Sequence, residues 1–321
     1  MTHLEQAGEG GGGGSSGNKI VFAIKFLVSA GLIAYLCSRF ELRLPSWGSA
    51  TVGWLTLSCL LLLLQPALIA MRWRRLLNTF GPPMTSSEAM RITWISVFAN
   101  QFLPASVGGD VVRVLISRRK GWLLSDAIMS ILFDRGLALL GLFILIALLG
   151  PFLVGTEQRQ VAFFLIGGLA IVGVVGLGFT NMLLPAVQRW ASGRASLHRY
   201  VSLLEKLQVL LRSPSTLAVA LGLSIAVHLL SFFALAAIAY SFGVRIPLFN
   251  LLALGGLITL AHILPISIAG WGVRDAATVL LLSTSGVETS VALSISVLLG
   301  VGYAVASIPG ALFWLLGVTW E

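Results

Sequence analysis

The chain has 321 residues, of which 57% are apolar and only 10% charged, with a mean hydropathy of +0.95 and a formal net charge of +9. A soluble globular chain carries about 25% charged residues. This one cannot cover a water-facing surface, which excludes an ordinary soluble enzyme, a disulfide scaffold and a disordered chain and leaves a polytopic membrane protein with room for at most roughly ten spans of about 20 residues.

Residues 1–18 are polar and glycine-rich, with Gly8 and Gly10–Gly14 followed by Ser15, Ser16 and Gly17. Such a segment buries too little apolar area to offset the entropy of ordering, so a disordered tail is expected. Six apolar runs then read as full spans: Ile20–Ser38, Ala50–Ala70, Ser125–Gly150, Val161–Leu184, Thr216–Tyr240 and Val291–Val318. The first lacks a small-residue cleavage site and reads as a retained span. Two further apolar stretches, 88–118 and 247–283, are interrupted by proline and glycine and read as broken helical hairpins. Between the fourth and fifth spans, residues 185–214 interleave Leu197, Val201, Leu204 and Leu207–Leu211 with Arg, His, Glu and Lys. That pattern is a basic amphipathic helix lying on a membrane surface, serving as a linker or as a sensor of anionic lipid.

Loop charges set the orientation. Arg72, Arg74, Arg75, Arg118, Arg119, Lys120 and the five basic residues from Arg189 to Arg212 fall in connections on one side, whereas 39–49 and 151–160 carry few. The basic side is expected to be cytoplasmic, with both termini there. The net positive charge is accounted for in this way, and nucleic acid is not an expected partner. Cys37 and Cys59 have neither disulfide-framework nor metal-ligand spacing, so no metal and no cofactor are expected.

The most informative feature is an internal repeat. Leu103, Pro104, Ser106, Gly109 and Arg113 spell L-P-x-S-x-x-G-x-x-x-R, and Leu264, Pro265, Ser267, Gly270 and Arg274 spell it again, with the prolines at 104 and 265. Each copy sits in a frame of two spans, a broken hairpin and one span: residues 19–150 and 151–318. That unit crosses the membrane an odd number of times, so the second copy is expected to be inverted. Inverted repeats with broken helices at the midplane typify many secondary transporters.

Pro104 and Pro265 remove a backbone donor and break the helix, while Gly108, Gly109 and Gly270 permit the irregular backbone of a tip. Half-helices are expected to begin near Asp110 and near Trp271, their N-termini suited to an anion, with Arg113 and Arg274 about one turn in. The same residues would also serve close helix packing. Ionisable residues at membrane depth are costly and mark function or a buried pair. Asp134, nine residues into its span, and Arg135 beside it cannot share a helix face. Each is expected to find a partner among Asp110, Arg113, Arg274 and Asp275, with a charge-balancing or gating role. His262, two residues before the second break, joins them as a candidate, and His228 reads as an interhelical hydrogen bond. Trp47, Trp54, Trp73 and Trp320 fit interfacial belts. Trp271 at the second tip is expected to pack on a lipid chain or plug the cavity.

These residues resemble a known family, the flippase-like membrane proteins related to the transmembrane region of lysylphosphatidylglycerol synthase. The resemblance is carried by Asn100–Pro104, Gly109, Asp110 and Arg113, by Asp134-Arg135-Gly136, and by Pro265 through Gly270-Trp271-Gly272-Val273-Arg274-Asp275. It spans roughly residues 20–318. It implies an inner-membrane protein that moves, or helps to move, a lipid or lipid-linked headgroup between leaflets. Asp275 stands where the family commonly has Glu, and Ala105, Ser106, Ile266 and Ser267 stand where it often has a further glycine. The resemblance implies no aminoacyl transfer here, because no polar stretch is long enough for the soluble domain that chemistry needs.

The leading expectation is therefore an all-α lipid translocase of two inverted repeats. An anionic or lipid-linked phosphate headgroup would be held by Arg113, Arg274, Gly109, Asp110, Gly270, Gly272, Ser106 and Ser267. No HExxH, CxxC or P-loop is present, and no enzyme activity is expected. Three other classes stay open: a lipid-modifying enzyme using Asp110, Asp134, Asp275 or His262, a non-catalytic subunit of a lipid or glycan synthesis complex, and a solute or ion transporter. A synthase partner or a second copy of the chain would be compatible with any of them.

Overall fold

The computed structural model describes residues 27, 31, 34–36, 38, 40–102, 108–153, 160, 198–263 and 270–317. The described residues form helices and connecting turns, with no strand among them. The described residues between 27 and 38 are helical and belong to the expected first span. The rest of that span, the expected span Val161–Leu184, the glycine-rich tail and the two hairpin tips lie outside the described residues. The tips include Pro104, Ser106, Pro265 and Ser267.

In chain order the helices are α1 (Ser49–Leu77), α2 (Ser86–Phe102), α3 (Gly108–Arg119), α4 (Leu124–Leu149), α5 (His198–Leu211), α6 (Pro214–Ser241), α7 (Leu248–Ile263), α8 (Val273–Ser283) and α9 (Thr289–Leu315). A 3₁₀ turn, Gly150–Phe152, extends α4. Four are long and apolar enough to cross a membrane: Ser49–Leu77, Leu124–Phe152, Pro214–Ser241 and Thr289–Leu315. They match expected spans, each shifted by a few residues. The largest shift is at the end of α1, which runs seven residues past Ala70 and carries Arg72 and Trp73 inside the helix rather than in a loop. Pro66 is accommodated within α1 without ending it.

The second half repeats the order of the first: long, short, short, long. Helices α1, α3 and α4 start at residues 49, 108 and 124, and α6, α8 and α9 each start 165 residues later, at 214, 273 and 289. Packing is reciprocal as well. Helix α2 lies against α9 of the other half, and α7 lies against α4. Helices α1 and α6 run along each other through the middle.

The outer ends of the two short pairs have different surroundings. The outer ends of α2 and α3 are tied by Lys120 Nζ donating to Glu88 Oε1 at 3.0 Å, beside the basic C-terminal turn of α1. We call this the basic end. The outer ends of α7 and α8 instead meet around a 340 Å³ cavity lined by Val244, Arg245, Gly286 and Val287. There Arg43 pairs with Glu288 at 2.8 Å. Helix α5 lies on the basic end, where Leu210 is buried against Leu76, Phe80 and Phe133 and Lys206 bonds Asp126 and Ser125.

Apolar packing gives the frame. Phe232 of α6 is wholly buried among Leu142 and Ile146 of α4 and Leu251, Leu254 and Ile258 of α7. Trp73, Ile92, Ile95, Val112 and Ile116 join α1, α2 and α3. Leu57, Leu60 and Leu64 on α1 and Leu132, Leu140 and Leu148 on α4 stay exposed, a surface suited to hydrocarbon rather than water.

Thr85-Ser86-Ser87-Glu88 forms a capping box at the start of α2. Glu88 Oε2 accepts from the Thr85 N–H at 3.0 Å, and the Glu88 N–H donates to Thr85 Oγ1 at 3.3 Å. The Thr85 backbone N–H, helped by the Lys120 ammonium, holds the Glu88 carboxyl down at about 2. A carboxyl depressed by folding adds stability above its ordinary range and loses it as pH falls towards the depressed value. Glu88→Gln is therefore expected to lower the melting temperature slightly at about pH 6 and not at all near pH 2, the small size reflecting partial exposure. Thermal melts of both proteins across that range check it.

Candidate functional site

Charge is concentrated where α1, α3, α4 and α6 meet. Arg72 on α1 reaches Asp134 on α4 with two parallel bonds, Nε to Oδ1 at 2.6 Å and Nη2 to Oδ2 at 3.0 Å, while its Nη1 donates to Ser224 Oγ on α6 at 3.0 Å. Arg113 on α3 donates from Nη1 to Asp134 Oδ2 at 3.4 Å and lies 3.9 Å from Asp110 Oδ1. Its guanidinium sits 5.2 Å from the Trp73 ring, and Trp73 is fixed by donating to Ser130 Oγ at 3.1 Å. Arg135 donates from Nε to Asp110 Oδ2 at 2.9 Å.

Three arginines thus face two aspartates. Arg72, Arg113, Asp110 and Asp134 are almost wholly buried, whereas the side chain of Arg135 is 46% exposed. Ions inside low-dielectric protein interact far more strongly than in water, and the four buried charges balance, with the half-exposed Arg135 adding a positive charge at the rim of the centre. Helix α3 approaches α2 closely enough that Gly109 donates its N–H to Asn100 Oδ1 at 2.7 Å. A Cβ at Gly109 would fall 2.2 Å from the Ser96 carbonyl oxygen, so only glycine fits.

The second centre is built differently. Arg274 is the second residue of α8 and is fully buried. Its Nε and Nη2 donate to Asp275 Oδ1 at 3.1 and 2.7 Å, and Ser296 Oγ on α9 donates to the same oxygen at 2.5 Å. Asp275 Oδ2 turns back to accept the Gly272 N–H at 2.9 Å. The Trp271 ring lies 4.7 Å from the guanidinium. Gly270 has φ +78°, and a Cβ there would sit 2.1 Å from His262 Nδ1. This centre is neutral and turned in on itself.

Polar groups join the two. Down α6, Ser224, His228 and Ser231 recur at helical spacing on one face. His228 Nε2 is 2.8 Å from the Ala138 carbonyl oxygen, and Ser231 accepts from Gln65 Nε2 at 3.1 Å. The ring of Tyr303 on α9 stacks on His262 at 5.9 Å.

The structure brings Gly109, Asp110, Arg113, Asp134 and Arg135 into the first centre, and Gly270, Gly272, Arg274, Asp275 and His262 into the second. Each of Asp134 and Arg135 does pair away from its neighbour, but the main partner of Asp134 is Arg72, which reads in sequence as a loop residue. Trp73 is not interfacial; it is fully buried beneath Arg113. Trp271 covers Arg274 rather than standing free to plug a cavity. Helix α8 begins at Val273 after its Gly272 cap, so Arg274 is its second residue, while Arg113 is the sixth described residue of α3. Among the described residues no group of three or more His, Cys, Asp or Glu could hold a metal ion.

The family model described as the lysylphosphatidylglycerol synthase TM region matches residues 22–310. No curated protein matches the sequence significantly. The chain belongs to the family of the lysylphosphatidylglycerol synthase transmembrane region, as the motifs at Asn100–Arg113, Asp134–Gly136 and Pro265–Asp275 imply.

Proposed function

We propose that this multi-pass membrane protein is a lipid translocase that carries a phosphate-bearing lipid or lipid-linked headgroup between the leaflets of the inner membrane. One observation carries the reading: two buried arginines paired with two aspartates, with the half-exposed Arg135 beside them, set inside helices whose outer faces are apolar. Ionisable groups at membrane depth are costly and mark function, and the arginines of this centre would meet an anionic headgroup. The acyl chains would remain in lipid, so a narrow polar path would suffice. The file of Ser224, His228, Ser231, Gln65 and Tyr303 supplies polar groups between the two centres.

In this reading α2–α3 and α7–α8 are re-entrant hairpins dipping from opposite faces, the two halves are inverted repeats, and the basic end with both termini is cytoplasmic. Asp110, Asp134 and Asp275 are each held by arginine, which suits charge balance better than a free base and favours translocation over lipid modification. A synthase partner or a second copy of the chain would act outside this centre.

The test is reconstitution into vesicles with lipids carrying fluorescent headgroups, followed by chemical bleaching of the outer leaflet. Phosphate-bearing headgroups are expected to bleach well beyond the outer half, and arrest at the outer half with correctly inserted protein would overturn the reading. Sidedness has its own check. Single cysteines at Arg118 and Arg245, in a background lacking Cys37 and Cys59, are expected to react from opposite faces; reaction from one face would remove the inverted arrangement.

A further inference from the structure

Five polar side-chain atoms on α2 and α3 are buried without a hydrogen-bond partner among the described residues: Thr93 Oγ1, Ser96 Oγ, Asp110 Oδ1, Arg113 Nε and Ser117 Oγ. All five residues are more than nine-tenths buried. They are not scattered. Ser96 and Asn100 both crowd the backbone of Gly109, so this face of α2 looks at α3, and Thr93 lies one turn back from Ser96 on that face. On α3, Asp110, Arg113 and Ser117 recur at i, i+3 and i+7, which is one face, and Arg113 and Asp110 meet Asp134 and Arg135 of α4. The unpartnered atoms therefore gather into one seam between α2, α3 and α4. It runs about 10 Å along α3, from Ser117, two residues before the basic end of the helix, to Asp110 at its inner start.

Buried polar groups are almost always satisfied, and one left alone destabilises the fold. Three hydroxyls and the Arg113 Nε–H on these facing helices are donors without an acceptor, and the fifth atom, Asp110 Oδ1, is itself an acceptor 3.9 Å from the Arg113 guanidinium. We infer that the seam of Thr93, Ser96, Ser117 and Arg113 is a phosphate site reached from the basic end, and that it, rather than the Arg274 centre, takes the headgroup. The contrast between the centres supports this: the Gly272 N–H, Arg274 and Ser296 all donate to Asp275, leaving His262 Nδ1 as the one buried side-chain atom there without a partner among the described residues, while the Arg113 centre keeps four donors free. A tetrahedral oxyanion matches several convergent donors better than a planar carboxylate does. The shared chemistry is phosphate, whether on a lipid or free. The inference rests on the translocation reading only for the lipid as the source.

The experiment uses the purified full chain in detergent and reads thermal stability against added inorganic phosphate and, separately, short-chain phosphatidic acid. The triple variant Thr93→Val, Ser96→Ala, Ser117→Ala removes hydroxyls that have no protein partner. Without ligand it is expected to melt at or above the wild-type temperature, which a structural role for those hydroxyls would not allow. Its apparent Kd for the stabilising phosphate is expected to rise at least about tenfold, the loss of one hydrogen bond to a charged group. Stabilisation by phosphatidic acid, with or without inorganic phosphate, supports the site and names lipid as a source. Stabilisation by inorganic phosphate alone supports the site but removes the lipid, and with it the translocase reading. No stabilisation of the wild type, or equal affinity in wild type and variant, overturns the site. Should the triple variant fail to fold, Ser117→Ala alone carries the same comparison at the mouth of the seam. Binding is read without transport, so intact phosphate binding in a chain that moves no lipid would overturn translocation and leave the site standing.

Discussion

Arg113→Gln is expected to abolish headgroup translocation while the protein still inserts and folds. The reasoning follows the ion pairs. Without Arg113, Asp134 keeps both bonds to Arg72 and Asp110 keeps its bond to Arg135, so no carboxylate is left unpaired. One buried positive charge disappears, along with the guanidinium held over Trp73. Stability should fall by about 2 kcal/mol, the size of a desolvated cation–π contact, with the long 3.4 Å bond to Asp134 lost beside it. Translocation should fall at least about a hundredfold, since a charge-assisted contact to an anion in a desolvated site contributes roughly 3 kcal/mol and 1.36 kcal/mol is a factor of ten. Scrambling rates normalised to membrane abundance make the measurement. Wild-type rates in Arg113→Gln at normal abundance would refute the anion centre.

Arg72→Ala is expected to fail in the opposite manner, by losing the fold. Arg72 supplies both short bonds to Asp134 and reaches Ser224 on α6, so it ties three helices. Its removal leaves Asp134 buried with only the 3.4 Å contact to Arg113. Breaking one side of a buried pair costs about 3–5 kcal/mol, against a total stability of about 5–15 kcal/mol. Membrane abundance and melting temperature should both drop sharply. Arg72→Met combined with Asp134→Leu should recover only part of the stability, because the apolar pair itself carries no charge but Arg113 loses its 3.4 Å bond to Asp134. A melting temperature for Arg72→Ala equal to the wild type would show that the pair does not hold the fold. Together the two variants separate an arginine that holds the centre from one that uses it.

Much of this was legible in the sequence. Long apolar runs disclose the spanning helices, because hydrocarbon leaves few other solutions. The stretch 88–118 is found as the pair Ser86–Arg119 and 247–283 as Leu248–Ser283. Asp134 and Arg135 were recognisable as candidates because charge at depth is rare. What the sequence hides is partnership between distant residues. Arg72 follows the end of an apolar run at Ala70, as a loop arginine does, and its partner stands 62 residues further on. Thr93, Ser96 and Ser117 carry no signal of their own, since serine and threonine are common in membrane helices. Their meaning comes from lying on facing surfaces of two helices without protein partners.

The reciprocal packing also bears on how the chain is made. Helix α2 rests on α9, where Gly310 meets the Trp94 carbonyl with no room even for a Cβ. The ribosome completes α2 at Phe102 and begins α9 only at Thr289. At the usual elongation rate of about 5–20 residues per second, that is a wait of roughly 10–40 s. Throughout it, a short helix with buried Thr93 and Ser96 has no final neighbour on one side. The first half must therefore be sheltered by the insertion machinery, or held loosely at the membrane surface, until the last helix arrives to lock both halves at once.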